Sequence, residues 1–155
     1  MLMQRGIITA EKVHLDAAFF VRLGVLTPVY TALFVGGIRW IQSGRQLPDV
    51  ITEHIFGMGN NSVKEMLYTG ISDRTIYNCC HDVYRFELTE RLRSCTAKVT
   101  YWLGENEPYP RKTAALLREY LPDMRVRMFA GMGHGQFIHE HKAYYCRELM
   151  RFFEK

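Results

Sequence analysis

Blocks of hydrophobic residues separated by polar turns organise the last third of the chain, from Ala97 to Lys155. Two apolar runs, Ala97–Leu103 and Val126–Ala130, have the length and composition of buried strands. Between them, the segment from Arg111 to Leu121 predicts a helix, because its apolar residues recur at helical spacing. These residues are Ala114, Ala115, Leu117 and Leu121. A closing helix is expected from Glu140 onward.

Each apolar run stops at a turn that carries a chemically active side chain. The first turn, Gly104–Pro108, contains Glu105 and Glu107, and the second, Gly131–Gly135, contains His134. Strands joined through a helix are normally parallel, so both turns should leave the same edge of one sheet. Open α/β sheets bind their ligands at that carboxyl edge. The pattern therefore brings a carboxylate and an imidazole to one place.

The earlier part of the chain predicts one more strand and then a helical insertion. Lys12–Phe20 has the pattern of a short strand, whereas Met1–Gly6 is typical of a helix end. From Thr27 to Leu92 the pattern is helical, with no strand among the predicted helices. We therefore expect an α/β fold with about three parallel strands, flanking helices and a mainly helical insertion.

Four helices are expected in this insertion, beginning near Pro28, Pro48, Ser62 and Ser72. Proline suits the first turn of a helix, and Ser62 forms a capping box with Glu65. In the first helix, one buried face is expected to carry Val29, Leu33, Ile38 and Ile41. In the fourth, the residues that repeat at three- and four-residue intervals are Ile76, Cys79, Cys80, Val83 and Phe86.

The composition is that of a single globular domain. The chain has 155 residues, of which 48% are hydrophobic and 23% charged, and its net charge is +4. Lys and Arg are scattered along the sequence, so nucleic-acid binding is not expected. We expect one domain over 1–155 with three segments: a helix tail and first strand at 1–26, a helical insertion at 27–92, and the last strands and helices at 93–155.

The apolar stretch from Ala17 to Ile38 raises the question of membrane insertion. Polar or helix-breaking residues interrupt it, so a spanning helix is not expected. These are Arg22, Gly24, Pro28 and Gly36–Gly37. The first residues also lack the long apolar segment of a signal peptide. The four cysteines have no metal-binding spacing, and reduced thiols in the cytoplasm are expected.

His134 is the strongest candidate for a functional residue. An imidazole titrates near about pH 6.5 and needs a partner that fixes its tautomer and stabilises its charged form. Glu107 is the best-placed partner, and Glu105 is the alternative, whose other role would be a solvated turn carboxylate. Without such a partner, His134 would be a loop histidine held by turn geometry. Asp16, near a strand end, is a weaker candidate acid.

The other histidines favour structural roles. His139 and His141 flank Glu140, but no third or fourth ligand lies at a useful spacing, so no metal site is expected. His14 in a strand and His81 on a helix are expected to be packing or surface residues. We expect neither a metal nor another cofactor.

No residue has the sequence context of a catalytic nucleophile. The chain contains no G-x-S-x-G, the motif that presents a serine on a sharp strand-to-helix turn. The serines, at predicted helix ends or in loops, are Ser43, Ser62, Ser72 and Ser94. The cysteines expected on helices are Cys79, Cys80 and Cys146. A base and an acid are predicted, but the atom that they would activate is not.

The two turns resemble the carboxyl-terminal pattern of the α/β-hydrolases. That pattern is strand, G-x-x-D/E-P turn, helix, strand, G-x-G-H-G/S turn and helix, and this chain has G-E-N-E-P at 104–108 and G-M-G-H-G at 131–135. By the same resemblance, Lys12–Ala18 matches an earlier strand and 27–92 takes the place of the helical cap. The resemblance implies the carboxyl-terminal half of this fold, without the nucleophile elbow.

The family implies a serine hydrolase that acts on ester, thioester or amide bonds without a metal. Carried over by position, His134 is the general base and Glu107 is the acid that orients it. Most members have Asp at the latter position, which leaves Glu105 as the alternative acid. Because the base and the acid act only through a nucleophile, a truncated or split hydrolase part, inactive alone, is expected.

The resemblance also bears on partners. The first strand would have an open edge, so we expect self-association or pairing with a complementary fragment. A small acyl substrate is expected if an amino-terminal half completes the site. The competing function is a non-catalytic binding or scaffold module derived from the same fold, and a third is a small-molecule binder beneath the cap.

Overall fold

A computed structural model describes residues 9–19, 22–51 and 71–154. The helix end expected at Met1–Gly6, the capping box at Ser62 and Glu65, and most of the helix expected after Pro48 lie outside these residues. The chain forms two compact units, one composed of Met1–Phe19 and Leu88–Lys155 and the other of Phe20–Glu87. The described helices, in chain order, are α1 (Thr27–Gln42), α2 (Asp73–Tyr84), α3 (Pro108–Tyr120), α4 (Gln136–Glu140) and α5 (Lys142–Glu154).

The first unit is built on three parallel strands in the order β1 (Lys12–Asp16), β2 (Lys98–Gly104) and β3 (Arg125–Phe129). Among the residues that the structure describes, this confirms the predicted number and direction of the strands. The prediction that the first strand reaches Phe20 is wrong. The strand ends at Asp16 because Ala17 turns the chain with a positive φ of 43°.

Helices pack against both faces of the sheet, where they contact side chains of the central strand β2. Tyr101 is completely buried on one face, and the carbonyl oxygens of Ala18 and Pro110 are both within reach of the single proton of its hydroxyl. Trp102 is buried on the opposite face, where its ring contacts those of Phe137 and Tyr145 edge-on. Alternate residues of one strand therefore anchor α3 on one side and α4 and α5 on the other.

Helix α3 connects β2 to β3 and confirms the predicted crossover helix. It begins at Pro108 rather than Arg111, because a proline in the first turn loses no helical hydrogen bond. Of the apolar residues whose spacing predicted this helix, Ala115 alone is exposed. The buried residues of the helix are Pro110, Thr113, Ala114 and Leu117.

The closing helix starts earlier than predicted and consists of two parts. α4 begins at Gln136, directly after Gly135, whose φ of 68° lies in the left-handed region that favours glycine. The chain leaves helical geometry at His141, and α5 follows. The rings of Phe137 and Phe129 stack with centroids 3.6 Å apart, which fixes the short helix α4 against the end of β3.

The second unit contains the packed pair α1 and α2. Their shared core is formed by Ile38, Ile41, Ile76 and Cys80. The predicted cap of α2 is confirmed, because the Ser72 hydroxyl accepts a hydrogen bond from the Thr75 amide at 3.2 Å. Of the two adjacent cysteines on α2, Cys80 is buried and Cys79 is exposed.

The predicted burial of Val29 and Leu33 on α1 is wrong, because these residues are 54% and 68% exposed. The buried face carries Thr27 and Thr31 instead, ahead of Ile38 and Ile41. α1 is apolar on both faces, so its hydrophobic spacing did not specify which face packs against α2.

One stretch of the described residues, Gly24–Gln42, is long and apolar enough by length and composition to cross a membrane. Of its most apolar 18-residue window, 22% is buried. The exposed apolar side chains along it are Val25, Leu26, Val29, Tyr30, Leu33 and Trp40. That it does not span a membrane stays a prediction.

Gly104 should be intolerant of any side chain. A methyl group on its Cα would overlap the carbonyl oxygen of Met132, which belongs to the backbone of the loop after β3. We expect Gly104→Ala to lower the free energy of unfolding by about 1–3 kcal/mol, as overpacking does. Unfolding by urea, followed by the near-ultraviolet circular dichroism of the buried aromatic residues, measures this change.

The matched control is Gly36→Ala, within α1, where an added methyl group meets no atom within 4 Å. This change should be neutral or raise the stability of its helix by about 0.5–1 kcal/mol. If Gly104→Ala proved as stable as the unchanged protein, the close approach of the two loops would be wrong.

Candidate active site

The register of β2 and β3 places two loops side by side at the carboxyl edge of the sheet. Gly104, the last residue of β2, is the partner of Phe129, the last residue of β3. The loop after β2 leads through Glu107 into α3, and the loop after β3 carries His134 into α4. Both predicted turns therefore leave the sheet from neighbouring strand ends.

Hydrogen bonds join these two loops directly. The Asn106 amide donates to the carbonyl oxygen of Met132 at 2.9 Å, and its side-chain amide donates to that of Gly131 at 3.0 Å. The Glu105 carboxylate accepts from the Gly131 amide at 2.8 Å. The Glu105 side chain thus joins the two loops by a hydrogen bond.

The carboxylate that contacts the histidine is that of Glu107. Its Oε1 lies 2.6 Å from Nδ1 of His134. Its Oε2 accepts a hydrogen bond from the Gly104 amide, and the residue is only 4% exposed. Both oxygens are therefore fixed, and the side chain has one orientation toward the imidazole. The sequence left open whether Glu107 or Glu105 is the acid beside His134, and the geometry pairs Glu107 with it. The catalytic roles of these residues stay predictions.

This contact determines which nitrogen of His134 carries the proton. A carboxylate only accepts hydrogen bonds, so Nδ1 is the protonated nitrogen of the neutral ring. Nε2 then has a free lone pair, and it makes no hydrogen bond with the described residues. The His134 side chain is 45% exposed, so the ring is partly accessible. A neutral ring with this tautomer is ready to accept a proton.

The surroundings of His134 favour its charged form. The hydrogen bond to Glu107 is the largest cause that raises the pKa of His134, and the charges of Glu107 and Asp16 raise it further. Partial burial of the ring opposes them and lowers the pKa. The net effect is a pKa above the ordinary value, which is the behaviour of a histidine held by a carboxylate.

The other candidate residues make hydrogen bonds away from His134 or lie outside hydrogen-bonding contact with it. Asp16, at the end of β1, accepts a hydrogen bond from the Tyr145 hydroxyl at 2.9 Å. His14, on β1, contacts the same hydroxyl through Nε2 at 3.1 Å. The Tyr145 contact was not predicted, because a tyrosine within an amphipathic helix gives no signal in one sequence. His139 and His141 lie at the end of α4, and the described residues contain no group of three or more metal-ligating side chains.

The described serine hydroxyls are engaged in local structure. Ser43 donates to the Trp40 carbonyl and Ser94 to the Arg91 carbonyl, each at 2.7 Å. Ser72 caps α2. Ser62 lies outside the described residues. Within the part of the chain that the structure describes, no serine stands at a strand-to-helix elbow.

No protein-family model matches the sequence, and no curated protein does. Solved structures do match. A protein from Desulfitobacterium hafniense assigned to the α/β-hydrolase family has a TM-score of 0.78 at 22% identity, covering 96% of this chain and 61% of that protein. An esterase from Exiguobacterium antarcticum has a TM-score of 0.67 at 14% identity, covering 99% and 61%. A bromoperoxidase from Bacillus anthracis has a TM-score of 0.65 at 15% identity, covering 94% and 58%.

This chain therefore spans about three fifths of the length of the structures that it matches. The likeness extends over nearly all of the chain and confirms the predicted fold class, a partial α/β-hydrolase fold. At these identities it shows the fold alone.

The raised pKa of His134 makes stability depend on pH in a defined direction. The folded-state pKa lies above that of the unfolded chain, so the ion pair stabilises fully below about pH 6.5 and less as pH rises through the folded value. Urea unfolding between about pH 6 and pH 9 should show the unchanged protein losing stability relative to the double variant Glu107→Gln/His134→Gln, in which neither group titrates. A difference that stayed constant with pH would contradict the ion pair.

Proposed function

We propose, since the chain has part of the α/β-hydrolase fold, that it is the carboxyl-terminal half of a serine hydrolase acting on ester, thioester or amide bonds. In this proposal His134 is the general base and Glu107 is the acid that orients it. The observation that carries the proposal is the 2.6 Å contact between Glu107 and Nδ1 of His134 at the carboxyl edge of a parallel sheet. The chain would be inactive alone, because its nucleophile would come from polypeptide outside this sequence.

The geometry suits acyl transfer in the following way. A serine hydroxyl beside Nε2 of His134 would give its proton to that nitrogen while its oxygen forms a bond to the acyl carbon. Glu107 would stabilise the resulting imidazolium through Nδ1–H. The same proton would then pass to the leaving group as its bond to the acyl carbon breaks. A water molecule, activated in the same manner, would release the acid product.

The activity of the chain alone tests the proposal first. We expect no labelling by a fluorophosphonate probe, and hydrolysis of p-nitrophenyl acetate no faster than that of His134→Ala. Loss of the nucleophile alone lowers turnover by roughly a millionfold in a serine protease. Turnover that disappeared in His134→Ala would refute the proposal that the chain is inactive alone.

A second assay separates a hydrolase part from a non-catalytic binding or scaffold module. The chain would be produced together with any in-frame coding sequence upstream of Met1 that contains G-x-S-x-G. The extended protein should react with the probe and hydrolyse esters, and both Glu107→Gln and His134→Ala should lower its kcat. An extended protein that folds but stays unreactive would favour the scaffold function, and so would an upstream sequence without the motif.

We extend the proposal to partners: self-association or a complementary fragment. β1 supports it as an edge strand. The Glu11 carbonyl oxygen and the Ala17 amide form hydrogen bonds with β2. Because successive residues of a strand alternate in direction, the amide and carbonyl groups of Lys12, His14 and Asp16 point away from β2. No described strand pairs with that edge. The exposed apolar face of α1 is a second surface that association would cover.

We also propose a cytoplasmic location. The described cysteines are all free thiols, which supports it.

Sedimentation velocity at micromolar concentration should detect association, and one variant for each surface should locate it. Lys12→Pro removes an amide on the open side of β1, so it should weaken pairing at the edge. Leu33→Glu places a charge on the exposed face of α1, with Leu33→Ala as the uncharged control. If the unchanged protein sedimented as a stable monomer, the association proposal would be wrong.

A further inference from the structure

Asn106 binds the loop after β3 through both its main chain and its side chain. Its amide N–H donates to the carbonyl oxygen of Met132 at 2.9 Å, and its Nδ2 donates to that of Gly131 at 3.0 Å. The two acceptors belong to consecutive residues that shortly precede His134. A single residue of the first turn therefore fixes two neighbouring peptide groups of the second.

Glu105 supplies the remaining partner of Gly131. Its Oε2 accepts a hydrogen bond from the Gly131 amide at 2.8 Å, while Asn106 donates to the Gly131 carbonyl. Gly131 has a φ of 70°, a left-handed conformation that favours glycine. Because glycine loses the most conformational freedom on folding, this conformation depends on contacts that hold both of its polar groups.

The rest of this loop is closed by hydrogen bonds to its two ends. The Met132 amide donates to the Phe129 carbonyl at 3.4 Å, and the Gly133 amide donates to Oε1 of Gln136 at 2.9 Å. The Gly133 carbonyl accepts from the Gln136 amide at 3.3 Å. Every backbone N–H and C=O group of residues 131–133 thus has a partner, so the backbone ahead of the histidine is fully bonded.

The position of this backbone determines whether the His134 ring meets Glu107. The His134 side chain is 45% exposed, so packing holds the ring only in part. The contact between its Nδ1 and Oε1 of Glu107 is 2.6 Å, and Glu107 is itself fixed by the Gly104 amide. A displacement of the histidine loop by about 1 Å would take the pair out of hydrogen-bonding range.

We propose that Glu105 and Asn106 are positioning residues for His134: they hold the loop after β3 in place and thereby set the distance between Nδ1 of His134 and Glu107. The inference rests on the proposed function and deepens it. Glu107 acts on the imidazole, whereas Glu105, the alternative acid, acts on the backbone that carries the imidazole. A base and an acid kept at bonding distance need no rearrangement during the reaction.

Asn106 allows this role to be measured without a change of charge. Asn106→Ala removes the donation to the Gly131 carbonyl, so a change in the His134 pKa would report on the distance to Glu107. The hydrogen bond to Glu107 is the largest cause that raises this pKa. We expect Asn106→Ala to lower the His134 pKa by about 0.3–1 unit, which corresponds to the weakening of one hydrogen bond. An NMR pH titration measures it, with the ring signal assigned from its absence in His134→Gln.

The same change in a Glu107→Gln background separates positioning from a general loosening of the fold. Without the carboxylate, the distance between the two side chains no longer sets the His134 pKa, so Asn106→Ala should have little further effect. Ser94→Ala is the matched control, since it removes a side-chain hydrogen bond to a carbonyl of the same unit, and it should leave the pKa unchanged. Equal falls in both backgrounds, or no fall in either, would overturn the proposal.

Glu105 provides a second pair of variants, which does not depend on the folding of Asn106→Ala. Glu105→Ala removes the acceptor of the Gly131 amide, whereas Glu105→Gln keeps an oxygen there. Both variants remove the same charge. The His134 pKa should therefore be lower in Glu105→Ala than in Glu105→Gln, and the Gly131 amide should exchange with solvent about fivefold to tenfold faster. Equal pKa values in the two variants would contradict the positioning role of Glu105.

These titrations need no nucleophile, so they are independent of the proposed function. In the extended protein, Asn106→Ala should lower kcat and leave KM nearly unchanged, because the distance between base and acid does not affect substrate binding. If the pKa changes occur while the extended protein stays unreactive, the proposed function fails and the positioning role stands. If the extended protein is active and the pKa changes are absent, the proposed function stands and the positioning role fails.

Discussion

The parallel register between β2 and β3 is the constraint on which the candidate site depends. It ends both strands at the pair Gly104 and Phe129, so their loops start from adjacent points of the sheet. Because Gly104 has no side chain, the Met132 carbonyl can approach it closely. The amide of Gly104 then holds one oxygen of Glu107 while the other meets His134. A shift of one residue between the strands would separate these groups.

The fold of the carboxyl-terminal region could be predicted because its local signals agree with one another. The apolar runs, the glycine-containing turns and the helical spacing between Arg111 and Leu121 all indicate a strand–helix–strand unit. The sequence favoured Glu107 as the partner of His134 but left Glu105 as an alternative. Both acids lie on one short turn. The register of β2 and β3 determines that Glu105 binds the Gly131 amide while Glu107 contacts the His134 ring.

Other features could not be predicted, since they depend on contacts distant in sequence. The buried face of α1 was misplaced because an apolar helix offers several faces, and the partner helix α2 selects one. The group around Asp16 joins β1 to α5 across more than a hundred residues, through Tyr145. No spacing rule connects a strand residue with a helix residue so far away.

The length of the Glu107 side chain matches the geometry that the absence of a side chain at Gly104 allows. Glu107 spans from the Gly104 amide to the imidazole, and an aspartate would be shorter by one carbon–carbon bond, about 1.5 Å. The two loops already lie close together, since a Cβ at Gly104 would overlap the Met132 carbonyl oxygen. Replacement of Glu107 by aspartate would therefore require a compensating rearrangement of the loop that bears His134. We expect residues 104 and 107 to change together in related sequences.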